Sequence, residues 1–75
     1  MQFAVGVIGV GNMGAALVRG IIDQGTVSAQ SVIVCDLVQD LVERICDDMG
    51  VVDGTEAAHV AGSADLVILA AKPQN

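Results

Sequence analysis

Apolar residues along this chain fall into short unbroken runs, and between the runs they recur every three or four positions. That alternation of rhythm predicts strand and helix in turn. Phe3 to Ile8 is the first run and reads as a strand. Met13, Ala16, Leu17, Gly20 and Ile21 then stand at i, i+3, i+4, i+7 and i+8, which predicts an amphipathic helix that stops at Gly25. After a polar connection, Thr26 to Gln30, the run Ser31 to Asp36 is β-branched and does not alternate, as expected of a strand covered on both faces. Val38, Leu41, Val42, Ile45, Cys46 and Met49 repeat the helical spacing, and Gly50 follows where a left-handed helix terminus is needed. Val51-Val52 predicts a short third strand and Asp53-Gly54 a turn, with Thr55 as N-cap of an alanine-rich helix over Glu56 to Ala61. Leu66 to Ala71 predicts a continuous buried strand, closed by Lys72-Pro73-Gln74-Asn75 because Pro73 cannot donate to a central ladder.

The order is β-α-β-α-β-α-β. Right-handed crossovers between parallel strands fold such a chain into an α/β domain, the first half of a doubly wound parallel sheet with strand order 3-2-1-4. Residues 1–75 are expected to be one partial domain, without repeats or linkers, whose fourth strand is left as an unprotected edge. With 53% hydrophobic residues and Phe3 as the lone aromatic, the core must be built of Val, Ile, Leu and Ala. The net charge of −6 excludes a nucleic-acid or anionic-membrane surface, which needs clustered Lys and Arg. No apolar run approaches the length of a membrane span and no signal-peptide pattern opens the chain, so a cytoplasmic protein is expected. Cys35 and Cys46 fall on apolar faces and read as reduced core thiols, with no metal site.

The chemistry lies in the first turn, Gly9-Val10-Gly11-Asn12-Met13-Gly14, a Gly-x-Gly-x-x-Gly spacing between a strand and a helix. In that context Gly9 turns the chain, Gly11 lets backbone approach a pyrophosphate, and Gly14 lets the helix lie close on the strand. A phosphate at a helix N-terminus is held by orphan amides and the positive end of the helix dipole, which suits an acidic chain. This is the turn of a Rossmann-type dinucleotide fold. Asp36 ends the second strand 22 residues after Gly14, where such folds place the acid that binds the adenosine ribose hydroxyls. Residues 37 to 40 carry no cation, so a ribose 2′-phosphate would meet an acid alone, and NADH is expected over NADPH. Lys72 follows the fourth strand at the carboxyl edge of the sheet, within reach of cofactor phosphates. His59 reads as a surface residue and Asp47-Asp48 as a solvated face. No constellation for catalysis on a substrate is present.

These residues resemble the N-terminal domain of the pyrroline-5-carboxylate reductase family. Gly9 to Ala16 followed by Gly20-Ile21-Ile22 matches that family's first turn and helix. Ala64 to Gln74, with its Lys72-Pro73-Gln74, matches its fourth strand and the turn after it. Relatives such as 3-hydroxyisobutyrate dehydrogenase share the first motif and are not expected to share the second. The resemblance implies NAD(P)H-dependent reduction of 1-pyrroline-5-carboxylate to L-proline, with Gly9, Gly11, Asn12, Met13, Gly14, Asp36, Ala71, Lys72 and Pro73 binding the cofactor. It also implies a homo-oligomer, formed through a helical C-terminal domain that this chain lacks. Two features depart from the NADPH-favouring pattern: Asp36-Leu37-Val38 stands where small polar or basic residues are usual, and Glu56-Ala57 where an Asn is common. A non-catalytic nucleotide-binding module or remnant, or the N-terminal part of a related 3-hydroxyisobutyrate-dehydrogenase-like enzyme, remains the alternative.

Overall fold

The computed structural model describes residues 2–70. Its first strand, β1 (Phe3–Ile8), lies between β2 (Val32–Cys35) and β4 (Ala64–Leu69), and β3 (Val52–Asp53) flanks β2. All three pairings are parallel, with Val5 opposite Val32 and Leu66, and Ile33 opposite Val52. The strand order is thus 3-2-1-4, the half of a doubly wound sheet that the alternation predicts. Helices α1 (Asn12–Asp23), α2 (Gln39–Met49) and α3 (Ala57–Ser63) make the crossovers.

Two cores form, one on each face of the sheet. Val5, Val7, Val32 and Val34 face Val18 of α1 and Val42 and Ile45 of α2, whereas Ile33, Cys35 and Ala64 close against Val60 of α3. Every residue of β2 is buried, which is why its sequence shows no alternation. Val60 is the one buried side chain of α3 and contributes about 1.5 kcal/mol or more, so this short helix hangs on a single anchor.

Several expected boundaries move. Ser31 belongs to a 3-10 turn, Ala29–Ser31, and Asp36 stands just past β2 rather than inside it. The third strand is Val52–Asp53, one residue later than expected. Thr55 does not cap α3: the N-cap is Glu56, with no side-chain bond, because Asp53 Oδ1 accepts the Thr55 N–H at 2.8 Å and draws Thr55 into a turn with φ of 73°. α3 runs to Ser63 and passes directly into β4, so the fourth strand starts at Ala64 rather than Leu66. It is the edge of the sheet, as expected, and for that reason it is not buried throughout: Leu66 is 56% and Leu69 77% exposed. Ala71, expected as its last residue, lies outside the described residues, as do Lys72 and Pro73.

The larger correction concerns α1. The stripe Met13, Ala16, Leu17 and Gly20 is exposed, and the helix buries Gly14 and Val18 with Ala15, Ile21 and Ile22 partly covered. The helix carries two apolar stripes, and close packing at Gly14 sets which one faces the sheet. A β-carbon on Gly14 would lie against the carbonyl oxygen of Gly9, so position 14, and with it 18 and 21, must point inward. α2 has a single stripe and buries Val42 and Ile45 as expected, ending at Gly50 in the left-handed conformation.

Candidate functional site

The carboxyl ends of β1 and β4 meet where the chain crosses from one side of the sheet to the other, the position at which open α/β sheets bind ligands. A cleft of about 570 Å³ opens there. The turn after β1 forms its floor. Gly9 adopts φ of 101°, a conformation costly for any residue with a β-carbon, and its N–H donates to the Cys35 carbonyl at 2.8 Å. Gly11 is extended and serves as N-cap of α1 without any side-chain cap, so the amides of the first helical turn face outward with the positive end of the dipole. A β-carbon on Gly11 would meet nothing within 4 Å, so the protein itself leaves that space open.

Asp36 forms the side wall with both carboxylate oxygens engaged. Oδ2 accepts the Val10 N–H at 2.8 Å, and Oδ1 accepts the Val38 N–H at 2.9 Å. The first bond fastens the β2–α2 turn to the glycine turn; the second closes a local turn at the head of α2. Leu37, 95% exposed, and Val38, 52% exposed, stand beside it as an apolar rim. On the far side Ala70 lines the cleft, and its N–H donates to the Ile8 carbonyl at 2.8 Å.

Of the residues singled out from the sequence, Gly9, Gly11, Asn12, Met13 and Asp36 line this one cleft, and Gly14 is buried behind it. Ala71, Lys72 and Pro73 fall outside the described residues, directly after Ala70. His59 is exposed on α3 and does not line the cleft. Asp48 at the end of α2 pairs with Arg19 of α1 at 3.3 Å, with both side chains about half exposed. Arg44 lines an adjoining groove of about 340 Å³ between α1 and α2, with Arg19 and Asp48; it shares Gly11, Asn12 and Leu41 with the cleft but does not include Asp36. Among the described residues no group of three His, Cys, Asp or Glu side chains is arranged to hold a metal, and no helix is long and apolar enough to cross a membrane.

Both cysteines are free thiols. Burial pushes the Cys35 thiol above its ordinary value, and the charges of Asp36 and Asp53 push it the same way. Burial does the same at Cys46, helped by Asp53 and Asp47. Neither thiol is activated as a nucleophile, which requires an electropositive setting. Sequence reasoning missed the apolar rim, because Val38 was read as the first core position of α2; it is instead the extended N-cap. It also missed the bond from Val10 to Asp36, whose partners are 26 residues apart.

Known proteins resemble this chain over nearly its whole length. A family model described as NADP oxidoreductase, coenzyme F420-dependent, matches residues 4–75. The pyrroline-5-carboxylate reductase of Methanosarcina acetivorans is 33% identical over 70 residues, which are 93% of this chain and 26% of that protein. That of Escherichia coli is 36% identical over 73 residues, 97% of this chain and 27% of the relative, and that of Treponema pallidum is 30% identical over 69 residues. The chain therefore spans about a quarter of the length of the curated relatives it matches. On the match over residues 4–75, carried by a half-wound parallel sheet with a glycine turn at its switch point, the chain belongs to the NADP oxidoreductase, coenzyme F420-dependent family.

Proposed function

We propose that residues 1–75 are the first part of a dinucleotide-binding domain, and that the protein they belong to reduces 1-pyrroline-5-carboxylate to L-proline with NADH. The observation that carries the cofactor half is the cleft itself: an uncapped helix start, open space at Gly11, and a carboxylate on the adjoining wall. These residues fit the group. The amides of Asn12, Met13 and Gly14 would hold the pyrophosphate, with Gly9 and Gly14 giving the turn its shape. Asp36 would accept hydrogen bonds from the ribose hydroxyls, and Leu37 and Val38 would shield the adenosine end from water. Ala71, Lys72 and Pro73, which follow Ala70 in the sequence, are proposed as further cofactor-binding residues, with the Lys72 ammonium serving the phosphates.

NADH is favoured over NADPH because a 2′-phosphate would lie against the Asp36 carboxylate, and Arg44 lines the neighbouring groove rather than this wall. The substrate half rests on the named relatives, 30–36% identical over about a quarter of their length. The bound cofactor supplies the hydride. The described residues of the cleft bind and orient it, and they include no side chain placed to act as acid or base on a substrate other than Asp36, which is already engaged. Groups acting on the substrate, a cytoplasmic role in proline biosynthesis and the contacts of a homo-oligomer are assigned to the remaining three quarters of such a protein.

Two measurements test this. Calorimetric titration of the 75-residue chain with ADP-ribose should give saturable one-site binding, and absence of heat would overturn the cofactor reading. The chain alone should not form proline. Placed at the head of the Escherichia coli relative in exchange for its matching segment, it should support pyrroline-5-carboxylate reduction; a hybrid that folds and binds NADH without turnover would overturn the substrate reading.

A further inference from the structure

We infer that Asp36 couples recognition of the ribose to the shape of the pyrophosphate turn, acting as a positioning residue for the glycine turn as well as an acceptor for the sugar. The proposal rests on the cofactor reading above. A carboxylate is an acceptor only, with two oxygens and roughly four acceptor sites. Two sites are used within the protein: Oδ2 by the Val10 N–H and Oδ1 by the Val38 N–H. About one remains on each oxygen, which matches the two vicinal hydroxyls of a ribose.

The consequence lies in where the Val10 N–H sits. Val10 stands between Gly9, whose φ of 101° makes the turn, and Gly11, which heads α1. Its side chain is buried at 3% exposure, so its backbone cannot swing out to find water without uncovering the core. The Cys35 carbonyl and the Asp36 carboxylate thus grip two successive amides of the glycine turn, Gly9 and Val10. A ribose bound to Asp36 would share its oxygens with the bonds that hold the phosphate-binding amides in register. Asp36→Asn keeps the size of the side chain, yet its amide nitrogen can only donate, so it faces one of the two N–H groups with another donor.

The test separates the two tasks of Asp36 by removing the hydroxyls from the ligand instead of the acceptor from the protein. ADP and 2′,3′-dideoxy-ADP carry the same diphosphate, and only ADP carries the hydroxyls. If Asp36 only reads the sugar, Asp36→Asn leaves dideoxy-ADP binding unchanged, and that result overturns the proposal. The expected result is a loss of about tenfold for dideoxy-ADP and a larger loss for ADP. Amide hydrogen exchange in the ligand-free variant should accelerate at Val10 while Val7 and Val34 keep their protection; unchanged exchange at Val10 would also overturn it. A readout on the unsubstituted chain guards against a variant that fails to fold: the Val10 amide resonance should shift more with ADP than with dideoxy-ADP, and equal shifts count against coupling. A chain that binds neither nucleotide overturns the cofactor reading and the ribose half of the proposal, while the Val10 exchange rate still decides whether the carboxylate holds the turn.

Discussion

The two turns that wall the cleft are made of different materials. The one after β1 is built from backbone: three glycines, one with positive φ, one packed against a carbonyl and one left open, with no charged side chain. The one after β2 is built from a single carboxylate and two exposed apolar residues, Leu37 and Val38. In the proposed reading the backbone wall would take what every dinucleotide has, the pyrophosphate, and the side-chain wall what distinguishes one from another, the substituent on the ribose. In the first, Gly9 and Gly14 cannot be replaced without straining the turn, whereas a β-carbon at Gly11 meets nothing in the protein; in the second, Asp36 can change without a steric clash, at the cost of its bond to Val10.

Gly14→Ala should show the largest effect. Its β-carbon would overlap the Gly9 carbonyl oxygen, and that obstacle is backbone rather than the end of a flexible side chain. A loss of stability of about 3 kcal/mol is expected, near the top of the usual overpacking range, read from the urea midpoint. A loss below about 1 kcal/mol would mean the turn yields easily and the contrast between the two walls is weaker than the geometry suggests.

Gly11→Val should do the reverse. Nothing in the protein meets a β-carbon there, so helix content and melting temperature should hardly change, while ADP-ribose binding should fall by tenfold or more, at least about 1.4 kcal/mol. Unchanged affinity would show that the turn is structural only.

The contrast between the two walls also governs what was legible in the sequence. The strand order, the parallel sheet and the glycine turn follow from local signals: unbroken apolar runs, helical spacing and the intervals between Gly9, Gly11 and Gly14. The inward face of α1 did not follow from hydrophobic spacing, because two apolar stripes compete and only the contact of Gly14 with Gly9 breaks the tie. Assigning Gly14 to close packing already implied the answer, since 14, 18 and 21 share a helix face. The position of Asp36 was legible from its place after the second strand. Its hold on Val10 was not, because a bond across 26 residues leaves no local trace. Thr55 misled for a similar reason: Asp53 takes its amide, and the cap it would have provided never forms.

Cofactor selection probes the second wall with a smaller effect. Asp36→Ser removes the charge proposed to repel a 2′-phosphate. The affinity ratio of ADP-ribose to its 2′-phospho derivative should therefore fall by about five- to a hundredfold, corresponding to roughly 1 to 3 kcal/mol. Both ligands should also bind more weakly in absolute terms if the carboxylate holds the glycine turn. A chain that prefers the 2′-phosphate before substitution, or a ratio that does not move, would remove Asp36 as the selector.

The smallest effect concerns Cys35, which touches both walls: its carbonyl accepts the Gly9 N–H, and its thiol lies close enough to Asp36 to feel that charge. Burial, then Asp36 and Asp53, raise the thiol above its ordinary value of 9.0. Unfolding returns it to that value, so above pH 9.0 the unfolded chain loses a proton that the folded chain keeps. Stability should therefore be constant with respect to this group below that pH and decline as the pH rises toward the folded value, by at most about 1.4 kcal/mol per pH unit for each thiol. Cys46, raised chiefly by burial, titrates in the same direction. Urea midpoints at pH 8 and pH 10 for the native chain and Cys35→Ala would read the difference in slope, which is insensitive to the small cavity the substitution leaves. A steeper decline in the native chain than in Cys35→Ala is expected, and equal slopes would mean that the thiol at the junction of the two turns already meets water.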